Sequence, residues 1–204
     1  MSLRELVRTT FTTRDYAAAL IAAWPEVTKE QAGVLWAQYA LETGRGGSCW
    51  NYNIGNVKHF EGDGYDYVML PNTPEIINGV RVIFQPPHPQ TWFRAYDSLA
   101  DAMEEHLEFL KKRYASAWHA VIEGNPAEFA QLIKARGYFT GSLDDYARAL
   151  VSLHAEWMRS SAFDEARDEV ADTEPTGVIV TIEGDIKKLS PLDSVVTGEG
   201  EDEA

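Results

Sequence analysis

The sequence predicts an α+β fold that is mainly helical, with a small β-lobe between two groups of helices and an acidic C-terminal tail. Capping signals and apolar spacing typical of helices occupy residues 13–43 and again 97–163, whereas the residues between them are rich in Gly, Asn, Pro and aromatic side chains. Residues 164–204 contain 13 acidic and 3 basic side chains. Helices beside a small β-lobe would leave a cleft in which a long polymer can lie.

Composition limits the class of protein. With 204 residues, 45% of them apolar, the chain can build one domain with a substantial core. Its formal net charge is −14 and its basic run Lys111–Arg113 has no basic stripe after it, so we expect no nucleic-acid partner. We also expect no membrane span, because no apolar run approaches the ~20 residues required. We recognise no signal peptide, and we therefore expect a chain that is made in the cytoplasm and reaches its place of action by another route.

Two helices are predicted before the β-lobe. Thr13 or Asp15 can cap the first, which Pro25 ends. Thr28 and Gln31 have the spacing of a capping box, in which each side chain bonds a backbone N–H of the other residue. A second helix should therefore run from about residue 29 to 43, and Gly44 suits the left-handed residue that closes a helix.

The β-lobe is predicted from "YDYVML" and "VRVIF", which have strand-forming composition, and from Asn78-Gly79, a dipeptide typical of tight hairpins. Helices resume after Asp97, with later starts at Asn125-Pro126 and at Ser142. We expect the helical domain to cover residues 1–163. Residues 164–204 are interpreted as an acidic linker and tail that includes a short strand or hairpin.

Glu42 is the leading candidate for acid catalysis. It lies in the last turn of the second predicted helix, where the negative end of the helix dipole and partial burial would both favour the protonated carboxyl. A protonated carboxyl is what a general acid needs. Gly44, Gly46 and Gly47 follow, which would let the backbone approach a ligand, and then come side chains suited to sugar faces and amide groups, Trp50, Tyr52 and Asn53. The alternative is an ordinary surface glutamate.

Three ordered segments resemble one family. "AQYALETGRGGSCWNYNIGNVK", "FRAYDSLADAMEEHLEFL" and "ARGYFTGSLDDYARAL" are similar to the motifs of the bacterial glucosaminidases of the lysozyme-like superfamily, which include autolysins and the flagellar muramidase domain. The resemblance covers roughly residues 12–160 and implies a lysozyme-like domain with a substrate cleft. Arg45 departs from the family pattern, as does Phe139-Thr140-Gly141, and these departures bear on which sugars fit.

The resemblance also implies roles for individual residues. Glu42 would protonate the glycosidic oxygen, Tyr138 would lie near the cleaved bond, and Tyr146 would support the cleft wall. Asn53 and Lys58 would shape the floor, and with Tyr146 they are expected to bind substrate. Apart from the resemblance, Trp50 and Trp92 are expected beside the cleft because the other tryptophans lie in helical patterns, and Trp50 and Tyr52 are expected to bind substrate.

The identity of the second catalytic group stays open. Glycosidases usually pair two carboxylates. Glu75 resembles a distal glutamate that some members carry on a mobile loop, and Asp63 and Asp66 compete with it. If no carboxyl is close, the acetamido group or the 6-hydroxyl of the substrate would attack instead.

The resulting hypothesis is a cell-wall hydrolase that cleaves β-1,4 bonds of peptidoglycan glycan strands as an endo-β-N-acetylglucosaminidase. A muramidase or a lytic transglycosylase remains an alternative. The rival from another class is a non-catalytic domain that binds glycan or a partner in a phage or secretion structure. Because peptidoglycan lies outside the cytoplasm, we expect delivery by a phage particle, a secretion machine or lysis, with the acidic tail contacting a delivery partner.

The sequence gives weaker support to two other kinds of site, a cysteine nucleophile and a metal site. "GSCW" around Cys49 resembles the segment around a papain-like nucleophile, but the spacing to His154 is too short, so we expect Cys49 to be a core residue. The acidic turn "EGDGYD" lacks the pattern of a calcium loop, and the histidines show no paired spacing for zinc. We therefore expect no metal and no cofactor.

Overall fold

The structure is a computed structural model that describes residues 2–77 and 79–173. These residues form seven α-helices and four strands, with the strands between the second and third helices. Their bounds are α1 Thr13–Ala23, α2 Lys29–Thr43, β1 Asp66–Met69, β2 Thr73–Ile77, β3 Val80–Phe84, β4 Trp92–Ala95, α3 Leu99–Arg113, α4 Ala115–Ile122, α5 Pro126–Ala135, α6 Leu143–Arg159 and α7 Ala162–Thr173. The predicted α+β class, mainly helical with a small β-lobe, is confirmed.

Helix α2 begins and ends where its sequence signals place it. The Thr28 hydroxyl accepts a hydrogen bond from the Gln31 N–H, and the Gln31 side chain accepts one from the Thr28 N–H. Gly44 closes the helix with φ +58°, a conformation that suits glycine. The cap of α1 differs from expectation: it is Thr12, which forms a capping box with Asp15.

The core is built around α2, in which ten of fifteen residues are buried. A helix buried on nearly all sides is typical of a protein interior. Helix α6 lies antiparallel to α2, because the indole N–H of Trp157 donates to Lys29 O at 2.9 Å while Tyr146, at the other end of α6, contacts Glu42. None of the described helices is long and apolar enough to cross a bilayer.

The β-lobe consists of two separate antiparallel pairs. Strand β1 pairs with β4, with Asp66 opposite Ala95, and β2 pairs with β3, with Ile77 opposite Val80. The β2–β3 pairing confirms the predicted hairpin, and its turn contains Gly79 at φ +78°. Asn78 itself lies outside the described residues.

The segment before α1 ties the β-lobe to the loop that follows α2. Arg4 N donates to Tyr67 O at 2.8 Å, and Thr9 N donates to Cys49 O at 3.0 Å. The side chain of Asn51 bonds both Val7 N and Glu5 O. These bonds satisfy backbone groups that would otherwise be unpaired, and they join both β1 and the loop containing residue 50 to the N-terminal segment.

The helical domain extends beyond the expected boundary at residue 163. Residues 164–173, expected to belong to a charged linker, form most of helix α7, and Ala166 is fully buried in the main core. The charges lie on the outer side, where Arg14 pairs with Glu169 and Lys29 with Asp164. Residues 174–204 lie outside the described residues, so the strand or hairpin expected there stays a prediction.

The packing of α7 predicts a large difference between two identical substitutions on this helix. Ala166→Asp places an unpaired charge in the core and should lower the free energy of unfolding by about 2–4 kcal/mol. Ala171→Asp, on the exposed side, should change it by no more than about 0.5 kcal/mol. Urea unfolding followed by tryptophan fluorescence measures both. Equal, small effects would show that α7 does not pack against the domain.

Candidate active site

A cleft of about 780 Å³ lies between the helical residues and the β-lobe. Its lining comes from the end of α2, the loop after it, strands β2 and β4, the end of α3 and residues 137–141. A volume of this size is typical of a ligand site.

Glu42 lies in the wall of this cleft and is half-buried. Its Oε1 accepts a hydrogen bond of 2.9 Å from the Tyr146 hydroxyl. Burial raises the pKa of Glu42 above its usual range, and the hydrogen bonds from Tyr146 and Asn56 only partly oppose this effect. The carboxyl therefore holds its proton to a higher pH than an exposed glutamate does.

Two tyrosines lie next to this carboxyl. Tyr146 comes from the first turn of α6, which the antiparallel packing on α2 brings to Glu42. Tyr138 lines the cleft, and its hydroxyl donates to Gly55 O at 2.9 Å. Burial, followed by the neighbouring charge of Glu42, raises the pKa of both phenols well above the usual value. Both therefore remain neutral hydrogen-bond donors at physiological pH.

The floor of the cleft is set by a loop organised around Asn53. This side chain is buried, and its amide bonds Val57 O and Arg94 O at 2.9 Å while its oxygen accepts from Val57 N at 2.8 Å. Gly55 follows, where a Cβ atom would lie 2.4 Å from the His106 ring, so only glycine fits. Asn53 thus shapes the floor, as expected, but it does not line the cleft as a substrate-binding residue.

Asn56 joins this floor to the helix that carries Glu42. Its amide donates to Glu42 O at 2.7 Å, and it also lines the cleft. Sequence analysis assigns Asn56 no role, although it lies in the segment "AQYALETGRGGSCWNYNIGNVK" that resembles the family.

The β-lobe side of the cleft carries an ion pair between Lys58 and Glu75. Lys58 Nζ lies 2.9 Å from Glu75 Oε1 and 4.2 Å from the centre of the Phe93 ring. Both charged residues line the cleft. Glu75 is therefore the second carboxylate among the residues that line the cleft with Glu42.

The two competing aspartates lie elsewhere. The carboxylate of Asp63 is buried between His59 Nδ1 at 2.8 Å and Arg94 Nε at 2.9 Å, which makes it part of the support of β4. Asp66 accepts hydrogen bonds from Ser2. Neither lines the cleft, so neither is a candidate for the second catalytic group.

The aromatic side chains that were expected at the cleft lie in different surroundings. Trp50 lines it. Tyr52 instead stacks on Phe11, with ring centres 6.4 Å apart, and Trp92 packs against Tyr67 while its indole N–H donates to Pro87 O. Neither Tyr52 nor Trp92 is among the residues that line the cleft, in contrast to the expectation.

The glycine cluster after Glu42 also has another role than expected. Gly44 closes α2, and a Cβ atom on Gly46 would lie 2.6 Å from the Tyr39 hydroxyl. Neither lines the cleft, so these glycines turn the chain and let it pack against the core.

Cys49 is a core residue. It is fully buried, its sulfur contacts the Thr9 hydroxyl, and burial raises the pKa of its thiol. A nucleophilic cysteine needs the opposite shift. Within residues 2–77 and 79–173, no three His, Cys, Asp or Glu side chains are grouped as a metal site would require.

The raised pKa of Glu42 predicts a pH-dependent stability cost. Between the pKa of an unfolded glutamate, about 4.3, and the raised folded pKa, the folded state holds a proton that the unfolded state has lost. Stability should therefore fall as pH rises through this window. Glu42→Gln removes the titrating group, so its stability relative to the parent should increase between pH 4 and pH 8. Urea unfolding at both pH values measures this, with Glu104→Gln on the exposed side of α3 as the control. A constant difference would show that Glu42 has an ordinary pKa.

Comparison with protein-family models identifies the family of this chain. The family model described as mannosyl-glycoprotein endo-beta-N-acetylglucosaminidase matches residues 17–159, more than half of the chain. A search of curated proteins finds no match. Two solved structures are similar: a peptidoglycan hydrolase mutant from Sphingomonas sp. A1 (27% identity, TM-score 0.49, covering 74% of this chain and 99% of that one), and a C-terminally truncated glycoside hydrolase domain from Salmonella typhimurium FlgJ (23%, 0.49, 72% and 99%). The chain belongs to the glucosaminidase family.

Proposed function

We propose that the chain hydrolyses peptidoglycan, cleaving the β-1,4 bond after N-acetylglucosamine with Glu42 as the general acid. One observation carries this proposal: a carboxyl with a raised pKa lies in the wall of a cleft large enough for sugar rings. Membership of the glucosaminidase family supports the reaction class. The resemblance to autolysins and the flagellar muramidase domain supports the choice of substrate.

Glu42 would act on the leaving group. Its carboxyl donates a proton to the glycosidic oxygen as the bond from that oxygen to C1 of N-acetylglucosamine breaks, so the next sugar leaves as an alcohol. The carboxylate that remains accepts the hydrogen bond from Tyr146, which limits the cost of a new charge in a half-buried wall. Addition of water at C1, with loss of a proton, completes hydrolysis.

Glu75 is our candidate for the group that assists attack at C1. It lies on the β-lobe side of the cleft, and its contact with Lys58 holds its side chain in position. In this role Glu75 would take a proton from the attacking water or stabilise the positive charge that develops at C1. If Glu75 is dispensable, the substrate's acetamido group supplies the attack. Attack by the 6-hydroxyl would make the protein a lytic transglycosylase.

The remaining lining residues suit a glycan strand. Trp50 offers an aromatic face on which a sugar ring can stack, and the Asn56 side chain lies where it can meet hydroxyl or acetamido groups. Tyr138 would lie beside the cleaved bond. Arg113 gives the cleft a positive charge, which suits the carboxylates of a peptidoglycan strand.

Digestion of purified cell-wall sacculi tests the catalytic proposal. Glu42→Gln should reduce release of soluble fragments by at least about 100-fold, because it removes the general acid. Glu75→Gln should retain more activity if the acetamido group attacks, and should match the loss in Glu42→Gln if Glu75 is essential. Mass spectrometry should find N-acetylglucosamine at the reducing ends. Reducing-end N-acetylmuramic acid would indicate a muramidase, and anhydro sugars a transglycosylase.

Two outcomes would contradict the proposal. If the parent protein binds sacculi but releases nothing, the chain is a binding domain of the kind expected in a phage or secretion structure. If Glu42→Gln retains full activity, Glu42 is not the acid. Glu104→Gln is the matched control for loss of one carboxylate away from the cleft.

We further propose that the protein reaches the cell wall through a phage particle, a secretion machine or lysis, and that the acidic tail contacts the delivery partner. Residues 175–204 contain 7 acidic and 2 basic side chains, and this negative charge supports a basic partner surface.

Truncation after Glu174 tests this role of the tail, because it keeps α7 and removes the residues beyond it. Purified truncated protein should release fragments from sacculi at the parent's rate, while its appearance at the cell wall of producing cells should be lost. Fractionation with immunodetection measures delivery. Unchanged delivery, or lost hydrolysis, would contradict the proposed role.

A further inference from the structure

Phe139 connects the segment before α6 to the proposed acid through a direct stack. Its ring lies parallel to that of Tyr146, with centres 3.8 Å apart and an angle of 9° between the planes. The Tyr146 hydroxyl in turn donates to Glu42 Oε1. Phe139 also lines the cleft, so its side chain covers Tyr146 on a side that water and substrate can reach.

Phe139 is itself held in place. Lys134, near the end of α5, donates to the carbonyl oxygens of Phe139 at 3.2 Å and Gly141 at 2.7 Å. The ammonium group also lies 4.8 Å from the centre of the Phe139 ring, a favourable cation–π contact. One side chain thus fixes both the backbone of the segment and the ring that it carries.

From this geometry we infer that Phe139 is a positioning residue: braced by Lys134, it holds the Tyr146 ring in the orientation that donates to Glu42 and shields that contact from water. The inference rests on the proposed function of Glu42 and adds a residue that the sequence marked only as a departure from the family motif. A stacked ring restricts rotation of the phenol, and a hydroxyl that cannot rotate away loses less entropy in forming its hydrogen bond.

Loss of the Phe139 ring should change the pKa of Glu42 in one direction. Burial is the largest influence on the pKa of Glu42 and raises it, while the hydrogen bond from Tyr146 lowers it by less. If water reaches this contact, it can replace the hydrogen bond from Tyr146, but it also removes the burial that raises the pKa. Because burial is the larger of the two effects, the pKa of Glu42 should fall. Tyr146 from α6 contacts Glu42 directly, and Lys134 from α5 lies on Phe139. The other titratable or charged groups that line this part of the cleft are Tyr138 from the segment before α6, Tyr114 and Arg113 from the end of α3, Arg94 from β4, and Lys58 and Glu75 from the β-lobe side.

Two substitutions at position 139 distinguish the effect of ring stacking from the effect of side-chain volume. Phe139→Leu keeps an apolar side chain but loses the flat ring, and it should reduce kcat on sacculi about tenfold or more, since small errors in placing catalytic groups are costly. It should also move the alkaline limb of the pH–rate profile to lower pH. Phe139→Tyr retains a stacking ring, so its kcat on sacculi and the alkaline limb of its pH–rate profile should match those of the parent. Lys134→Met should shift the limb in the same direction as Phe139→Leu.

The control is Trp118→Leu, which breaks another aromatic pair, with Trp24 at 5.2 Å, outside the cleft lining. It should lower stability without moving the alkaline limb. The inference is overturned if Phe139→Leu keeps the parent's limb and kcat, or loses activity only in proportion to its folded fraction.

A second readout separates this inference from the proposed function. The ¹³C chemical shift of the Glu42 carboxyl, assigned by its loss in Glu42→Gln, follows the titration of this group without any substrate. If the parent proves inactive, the proposed function fails, but a lower titration midpoint in Phe139→Leu, restored in Phe139→Tyr, would still support the positioning role. An unchanged midpoint in Phe139→Leu would overturn it, whatever the activity.

Discussion

The hydrogen bond from Tyr146 to Glu42 is the contact on which the rest of the site depends. It joins the first turn of α6 to the last turn of α2, so it forms only because the two helices pack antiparallel along their length. It also gives the half-buried carboxyl of Glu42 a hydrogen-bond donor in addition to Asn56. The core and the proposed chemistry are therefore linked: Trp157, far from the cleft, fixes the helix that delivers Tyr146.

The two sides of the cleft differ in how strongly the surrounding structure holds them. On one side, Glu42 belongs to the most buried helix, and the loop beneath it is held by the three hydrogen bonds of the Asn53 side chain. On the other side, Glu75 lies on a two-stranded hairpin whose partly exposed residues include Ile76 and Val80. Two-stranded pairs have little independent stability. A firmly held Glu42 and a less supported Glu75 in one cleft would suit the proposed hydrolase, which must admit a long polymer.

Local signals in the sequence predicted much of this fold because the interactions they describe are themselves local. The Thr28–Gln31 box and Gly44 gave the bounds of α2, and with them the place of Glu42 in its last turn. The direction in which a loop side chain points was not predictable from the sequence. Asn53 has the chemistry of a sugar-binding residue, yet its amide bonds backbone groups beneath the cleft. Tyr52 likewise stacks on Phe11. Helix α7 was missed because its many charges dominate the composition, while its burial depends on Phe163 and Ala166 meeting a distant surface. The Phe139–Tyr146 stack is likewise a tertiary contact that no pattern specifies.

A crystal structure of the Glu42→Gln variant with a bound peptidoglycan glycan fragment would test whether Glu42 is the proton donor. We expect a glycosidic oxygen following N-acetylglucosamine to lie within about 3 Å of the residue 42 side chain, the distance that proton donation requires. Tyr146 should still donate to that side chain. A fragment bound with every glycosidic oxygen remote from residue 42, or bound on another surface, would contradict this role of Glu42.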